Sequence, residues 1–339
     1  MKILVGISGG VDSAYAALKL KNDGHEVEGA VLIMHEYTEL DAAREAASSL
    51  DITLHEIDCR ESFECIKENF VSEYVSGRTP NPCIICNERV KFRTLYDFAM
   101  ENGFDAIATG HYAKIVENSG RYALAFPEDM RKEQTYMLYR LPQSILSRLI
   151  LPLSDGTKEK VRENAAESRL SVANRADSQE ICFLPEGNHT EFIESRAGRC
   201  PEGDFIDENG DTLGRHKGII HYTVGQRKGL GISLGARAFV TEINAENNTI
   251  TLAKSLSGTT EIRLTDVVYS GMPKPEREEK IELLVKLRYT APLVKTVAIL
   301  YPDGTASLTF EKLEKSAPGQ SAVLYRDGVV MCGGFINKA

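Results

Sequence analysis

The sequence predicts an α/β protein: a doubly wound parallel sheet at the N-terminus, a small central module, and a C-terminal antiparallel β barrel. Three observations predict it. Through the first half of the chain, short apolar runs alternate with stretches whose apolar residues fall at helical spacing. A serine- and glycine-rich loop, SGGVDS, joins the first run to the first helical stretch. Near residue 200 the pattern changes to strand-like runs separated by turn sequences such as DENGD, NAENN, YPDG and YRDG. The expected boundaries are 1–199 for the parallel-sheet domain, 200–262 for the small central domain and 263–339 for the barrel. A chain of 339 residues with 42% hydrophobic content has ample material for these cores.

Taken in order, KILVGI (Lys2–Ile7) reads as a buried strand, and DSAYAALKLKNDG as a helix that stops near Gly24. EVEGAVLIM is a second strand, ELDAAREAASSL a helix and ITLHEID a third strand. ESFECIKENFVSEYVS is a longer amphipathic helix. RTPNPCIICNERVKF (Arg78–Phe92) reads as a loop bounded by prolines, with Cys83 and Cys86 as a Cys-x-x-Cys pair. ERVKFRTLYDFAMENG is a further helix, and DAIATGHYA a strand with its exit loop. In such a sheet the ligand site lies at the carboxyl ends of the strands. KIELLVKLRY, LVKTVAILY, TASLTFEKL, QSAVLYRDG and VVMCGGFIN supply barrel strands.

No run of 18 apolar residues occurs, and the N-terminus passes from strand to glycine loop without a signal-peptide pattern; the expectation is a soluble, cytoplasmic protein. Seven cysteines, unevenly spaced, do not read as a disulfide framework, so metal, cluster or catalytic use is the better expectation for the paired ones. A net charge of −9 argues against a polyanion partner for the chain as a whole. Locally the balance reverses. Thr212–Gly229 carries Arg215, Lys217, Arg227 and Lys228 with no acid, and the cysteine stretch sets Arg78, Arg89, Lys91 and Arg93 against Glu88. Phosphate contacts need only such a local basic face.

The loop Gly6–Ser13 carries the chemistry. Gly9 and Gly10 let the backbone approach an anion, and Ser8, Ser13 and the N–H groups at the helix start can hold phosphate oxygens. Among phosphates, Asp12 suits a magnesium-bridging role. The loop is neither a Walker A sequence nor GxGxxG. SGGVDS at the end of a first strand resembles the PP-loop of the HUP-like ATP pyrophosphatases. That resemblance implies ATP, transfer of AMP to an oxygen, and release of pyrophosphate.

In order, GRTPNPCIICNERVKF, ATGHYA, RKEQTYMLY, DSQEICFLPEGNHTEFI, HYTVGQRKGLGI, LRYTAP and APGQSAVLY resemble the motifs of the tRNA-specific 2-thiouridylases, over residues 2 to about 337. The resemblance implies adenylation of the C2 oxygen of a tRNA wobble uridine, then replacement of that oxygen by sulfur. It makes Cys182 the persulfide carrier and Cys86 its partner, which releases the sulfur or closes a disulfide with Cys182. Asn81, Pro82 and Cys83 would line the target base. ATP would be held by Gly6, Ile7, Ser8, Gly9, Gly10, Val11, Asp12, Ser13, Leu32 and Gly110, with Mg2+. The tRNA anticodon stem-loop would be touched by His111, Lys132, Glu133, Gln134, Arg288, Tyr289 and Gln320, and a sulfur-donor protein or sulfide is the remaining partner.

The cysteine residues leave alternatives open. A second Cys-x-x-Cys for a zinc ribbon is lacking, yet Cys182, Cys59 or a histidine could complete a set. Cys83, Cys86 and Cys182 could hold a 4Fe–4S cluster with one iron open to carry sulfide. A PP-loop ligase or amidase acting on a small metabolite is the reading that uses none of these thiols.

Overall fold

The computed structural model describes residues 1–168, 170–173, 175, 181–184, 188–232, 237–255 and 258–337. The chain begins with β1 (Lys2–Gly6), α1 (Val11–Asn22), β2 (Glu26–Ile33), α2 (Leu40–Ser49), β3 (Leu54–Asp58) and α3 (Arg60–Val75). It continues through α4 (Pro82–Cys86), a π turn (Asn87–Lys91), α5 (Phe92–Glu101) and β4 (Ala106–Ala108). A hairpin of β5 (Lys114–Asn118) and β6 (Arg121–Ala125), short helices α6 (Thr135–Leu138) and α7 (Gln143–Leu146), β7 (Leu149–Ile150) and α8 (Lys158–Glu167) follow.

Five strands form a parallel sheet in the order β3-β2-β1-β4-β7. Alternation along β1 decides which helices cover which face. Ile3 and Val5 pack with Val11, Ala14, Ala43 and Ala46 of α1 and α2. Leu4 packs on the other side with Phe63, Phe70 and Leu95 of α3 and α5. Both faces are therefore covered, which explains the near-continuous apolar strands.

The cysteine stretch departs from expectation: it is helical, not a loop. Pro82 occupies the first helical turn, where its missing N–H costs nothing, and Asn81 caps it by accepting the Cys83 N–H at 3.2 Å. The hairpin β5–β6 was also not legible in the sequence pattern. It pairs with the last barrel strand through Val329 and Ala125.

The central module contains α9 (His189–Ala197), β8 (Gly203–Ile206), β9 (Thr212–His216), β10 (Phe239–Asn244) and β11 (Thr249–Ala253), paired in the order β10-β11-β8-β9. The barrel follows as β12 (Thr259–Tyr269), β13 (Glu279–Lys286), β14 (Val294–Leu300), β15 (Ala306–Glu314), β16 (Ser321–Arg326) and β17 (Val329–Ile336). Pairing of β12 with both β15 and β17 closes these strands on themselves and leaves no free barrel edge.

The N-terminal domain is bolted to the barrel by buried polar contacts from α6 and the residues after it. The Tyr136 hydroxyl donates to the Ser321 carbonyl at 3.0 Å, and the Tyr139 hydroxyl pairs with Ser321 Oγ at 3.0 Å. Arg140, its side chain 4% exposed, reaches Glu88 at 2.7 Å and Asp266 of β12 at 2.8 Å. Among the described residues no helix is long and apolar enough to cross a membrane.

Candidate active site

The phosphate loop leaves β1 and enters α1 without a side-chain cap at Gly10, so the N–H groups of the first turn face outward and unpaired within the helix. Gly9 takes the left-handed conformation (φ +79°), and a Cβ there would lie 2.7 Å from that of Ala42. The two serines brace the loop: Ser13 Oγ donates to the Gly10 carbonyl at 3.0 Å, and the Ser8 N–H donates to Ser13 Oγ at 3.1 Å. Gly110 follows β4 directly opposite. A Cβ on it would come within 2.6–2.7 Å of the Asp12 carbonyl group and the Ser13 nitrogen. Its place is thus required by close backbone packing against the loop. Leu32 is buried near the end of β2, and beyond it His35 is buried with no hydrogen-bond partner for Nδ1.

Asp12 is held by groups that the sequence reading missed. Both carboxylate oxygens accept from Lys158 Nζ, at 2.8 and 2.7 Å, and Oδ1 accepts from the Tyr112 hydroxyl at 2.9 Å. Lys158 is 6% exposed and opens α8. Arg175 donates to the Gly9 carbonyl at 3.3 Å and pairs with Glu39 at 2.9 Å. Lys158 and Arg175 carried no sequence signal, because each lies far along the chain from the loop and outside a motif; Tyr112 lies within ATGHYA, but nothing in that motif showed that its hydroxyl reaches Asp12.

The thiols gather at the same carboxyl edge of the sheet. Cys86 is buried, and its Sγ lies 3.9 Å from the sulfur of Met34, which follows β2. Burial pushes the Cys86 thiol up to about 12, with Lys91 opposing the rise and Cys182, Cys83 and Cys59 adding to it. Cys83 and Cys182 are exposed, yet desolvation by the surrounding protein also raises both thiols, again opposed by Lys91. Backbone N–H groups of Cys182 and Phe183 further oppose the rise at Cys182. Cys83, Cys86 and Cys182 therefore lie within mutual electrostatic range around the ammonium of Lys91. Desolvation, and then Lys91, pushes His111 down to about 3, so this half-buried ring, tilted against Phe92 with centroids 5.3 Å apart and bonded to Thr109 at 2.9 Å, is neutral.

All seven cysteines are free thiols, so the Cys86–Cys182 disulfide expected from the resemblance is open here. Among the described residues no group of three or more His, Cys, Asp or Glu side chains is placed to hold a metal ion. Residues 177–180 of the DSQEICF stretch lie outside the described residues; residues 181–183 lie within them.

The residues expected at tRNA divide into surface and interior. Arg288 is exposed, and Lys132 and Tyr289 are half-buried. Glu133 is 2% exposed: its carboxylate accepts from the Thr135 N–H and hydroxyl and pairs with Lys286 of β13. The Glu133 side chain is thus a buried tie between domains. Gln134 accepts from the Tyr112 N–H at 2.8 Å, and Gln320 donates to the Thr79 carbonyl at 2.7 Å, so both amides also hold the protein together. Asn81 caps α4 and donates to the Met137 sulfur at 3.3 Å; Pro82 is buried.

A parallel sheet with helices on both faces, carrying a glycine–serine anion loop after its first strand, defines the PP-loop class of ATP-utilising nucleotide-binding proteins. Three family models match in succession: a tRNA methyl transferase HUP domain over residues 1–186, a tRNA methyl transferase PRC-barrel domain over 190–254, and an aminomethyltransferase beta-barrel domain over 259–336. The chain is 42% identical over 355 aligned residues to the tRNA-specific 2-thiouridylase MnmA of Clostridium beijerinckii, covering 99% of both chains. It is 42% identical over 356 residues to the MnmA of Lachnoclostridium phytofermentans, again covering 99% of both. The chain belongs to the tRNA-specific 2-thiouridylase family. A solved 4-thiouridine synthetase–RNA complex with bound ATP superposes with a TM-score of 0.38 at 20% identity, covering 52% of this chain and 42% of that one, and nothing further rests on it.

Proposed function

We propose that the protein replaces the C2 oxygen of the wobble uridine in tRNA by sulfur, at the expense of ATP. One observation carries this reading: the anion loop after β1 and the cysteine trio lie at the same carboxyl edge of the sheet, Cys86 touching Met34 just past β2. An amide-like oxygen leaves poorly as such, and adenylation makes it part of AMP. The C2 oxygen attacks the α-phosphorus of ATP held at Gly6–Ser13, and pyrophosphate departs. The outward N–H groups of the first turn of α1 stabilise the charge that builds on the phosphates.

Sulfur arrives as a persulfide on Cys182: the Cys182 thiolate attacks the outer sulfur of a persulfide on a sulfur-donor protein, and the donor's thiolate departs. Its terminal sulfur adds to C2, and AMP leaves with the oxygen. The Cys86 thiolate then attacks the Cys182 sulfur: the Cys86–Cys182 bond forms, the Cys182–sulfur bond breaks, and its electron pair stays with the sulfur on C2. A thiol reductant restores both cysteines. Lys91 faces all three thiols and favours their anionic forms. Magnesium bound with the nucleotide would be held by Asp12 and would offset phosphate charge; Lys158 and Tyr112 hold that carboxylate in place. Asn81, Pro82 and Cys83 present the target base, and Lys132, Arg288 and Tyr289 meet the RNA. The enzyme is then a tRNA-uridine 2-sulfurtransferase of the ATP pyrophosphatase type, acting in the cytoplasm beside its substrate. Methyl transfer would need neither an ATP loop nor three thiols. The test is pyrophosphate release with and without tRNA: release must depend on tRNA, and turnover indifferent to it would overturn the reading.

A further inference from the structure

A cleft of about 390 Å³ opens between the C-terminal half of α3, the Arg78–Asn81 turn, the outer face of the cysteine helix and its π turn, and barrel strands β12 and β17. It does not include the phosphate loop or any cysteine, but it shares Asn81 with the turn that precedes Cys83. Its volume falls in the range of small-molecule sites, about 300–1,000 Å³.

Its walls are fixed. The Thr79 N–H donates to the Pro318 carbonyl at 3.0 Å, and Gln320 donates back to the Thr79 carbonyl at 2.7 Å. Gly319 lies between them at φ +88°, where a Cβ would sit 3.0 Å from the Thr79 nitrogen. The lining is mixed in a particular way. Arg78 is neutralised by Glu73 at 2.5–2.8 Å, whereas Arg89 is exposed and makes no ion pair among the described residues. Phe335 supplies an aromatic wall, backed by the Arg140 guanidinium 4.8 Å from its centroid, and Asn69 and Asn81 supply amides. A single unpaired guanidinium, an aromatic ring and amide groups in a rigid slot match one nucleotide: phosphate, base face and base edge.

We propose that this cleft binds a second nucleotide of the RNA, the one adjoining the target base, with Arg89 on its phosphate and Phe335 and Asn69 around its base. The proposal rests on the tRNA reading above and adds a specificity site to it. A nucleotide seated here holds the strand on one side of Asn81 while the target base is presented on the other.

Synthetic anticodon stem-loops serve as probes: intact, abasic at the nucleotide before the target, and abasic at the nucleotide after it. One of the two abasic RNAs binds the wild-type enzyme roughly 5- to 100-fold more weakly than the intact RNA. Asn69→Ala weakens the intact RNA but adds no further loss to that abasic RNA. Arg89→Ala flattens the slope of log affinity against log salt by about 0.7. ATP affinity stays at the wild-type value in both variants and reports that they are folded. The proposal is overturned if both abasic RNAs bind as tightly as the intact one, or if Arg89→Ala leaves the salt slope unaltered. It is equally overturned if the variants impair only sulfur delivery from a donor protein, which assigns the cleft to that protein. Failure of the tRNA reading is distinct: the wild-type enzyme then does not bind the intact stem-loop at all.

Discussion

Replacing Gly110 by alanine tests the ATP site through a single methyl group. Gly110 does not adopt a left-handed conformation, so the substitution strains nothing in its own backbone. The effect is steric. The new Cβ would stand 2.6 Å from the Asp12 carbonyl carbon and 2.7 Å from the Ser13 nitrogen, against an ordinary contact of 3.4 Å or more. Both atoms are backbone and cannot rotate away, so the start of α1 must move by several tenths of an ångström. Overpacking of this kind costs about 1–3 kcal/mol. If the displaced N–H groups are those that hold the phosphates, ATP affinity falls by about 5- to 150-fold. Calorimetric titration with ATP measures it, with stem-loop binding as the control for integrity. Gly156→Ala is the matched comparison, since a Cβ there meets nothing within 4 Å. Unchanged ATP affinity in Gly110→Ala would refute the placement of the nucleotide at this loop.

Three further outcomes follow from the geometry. Because the Cys86 thiol is pushed up to about 12, its thiolate fraction, and with it the rate of Cys86 alkylation, rises about tenfold per pH unit from pH 7 to 9; a plateau below pH 9, read by mass spectrometry, contradicts the burial argument. Lys91→Met removes the cation that opposes the rise at all three thiols and slows alkylation of Cys182 at neutral pH; an unaltered rate places Lys91 outside the thiol cluster. Lys286→Met leaves the Glu133 carboxylate, 1% exposed, without its cation and costs about 3–5 kcal/mol of stability in denaturant unfolding, while adding Glu133→Gln restores much of it; if the double variant is no more stable than the single, the pair is not the tie described.

The parallel sheet was legible because its strands are covered on both faces and so read as continuous apolar runs. The barrel was legible because turn sequences punctuate its strands at regular spacing. The helical state of Pro82–Cys86 was hidden by the prolines, which suggest a loop, although Asn81–Pro82 is itself a helix start. The hairpin β5–β6 escaped because its partner, β17, lies far along the chain. In the site, the phosphate loop could be read directly, since adjacent residues build it. Lys158, Arg175 and the inward direction of Glu133 could not, because only the folded chain brings Asp12 to α8 or sets Glu133 beside Lys286. Cys182 stood out by its motif, and Lys91, although within the cysteine stretch, gave no sign that it faces three thiols.

The most direct test combines the purified protein, ATP, an anticodon stem-loop and a sulfur source in a single turnover. The nucleosides are then analysed by mass spectrometry alongside AMP and pyrophosphate. The account predicts 2-thiouridine at the wobble position with one AMP and one pyrophosphate formed for each sulfur inserted, and no 2-thiouridine from Cys182→Ala despite intact ATP binding. Normal thiolation by Cys182→Ala, or thiolation without pyrophosphate release, would contradict it.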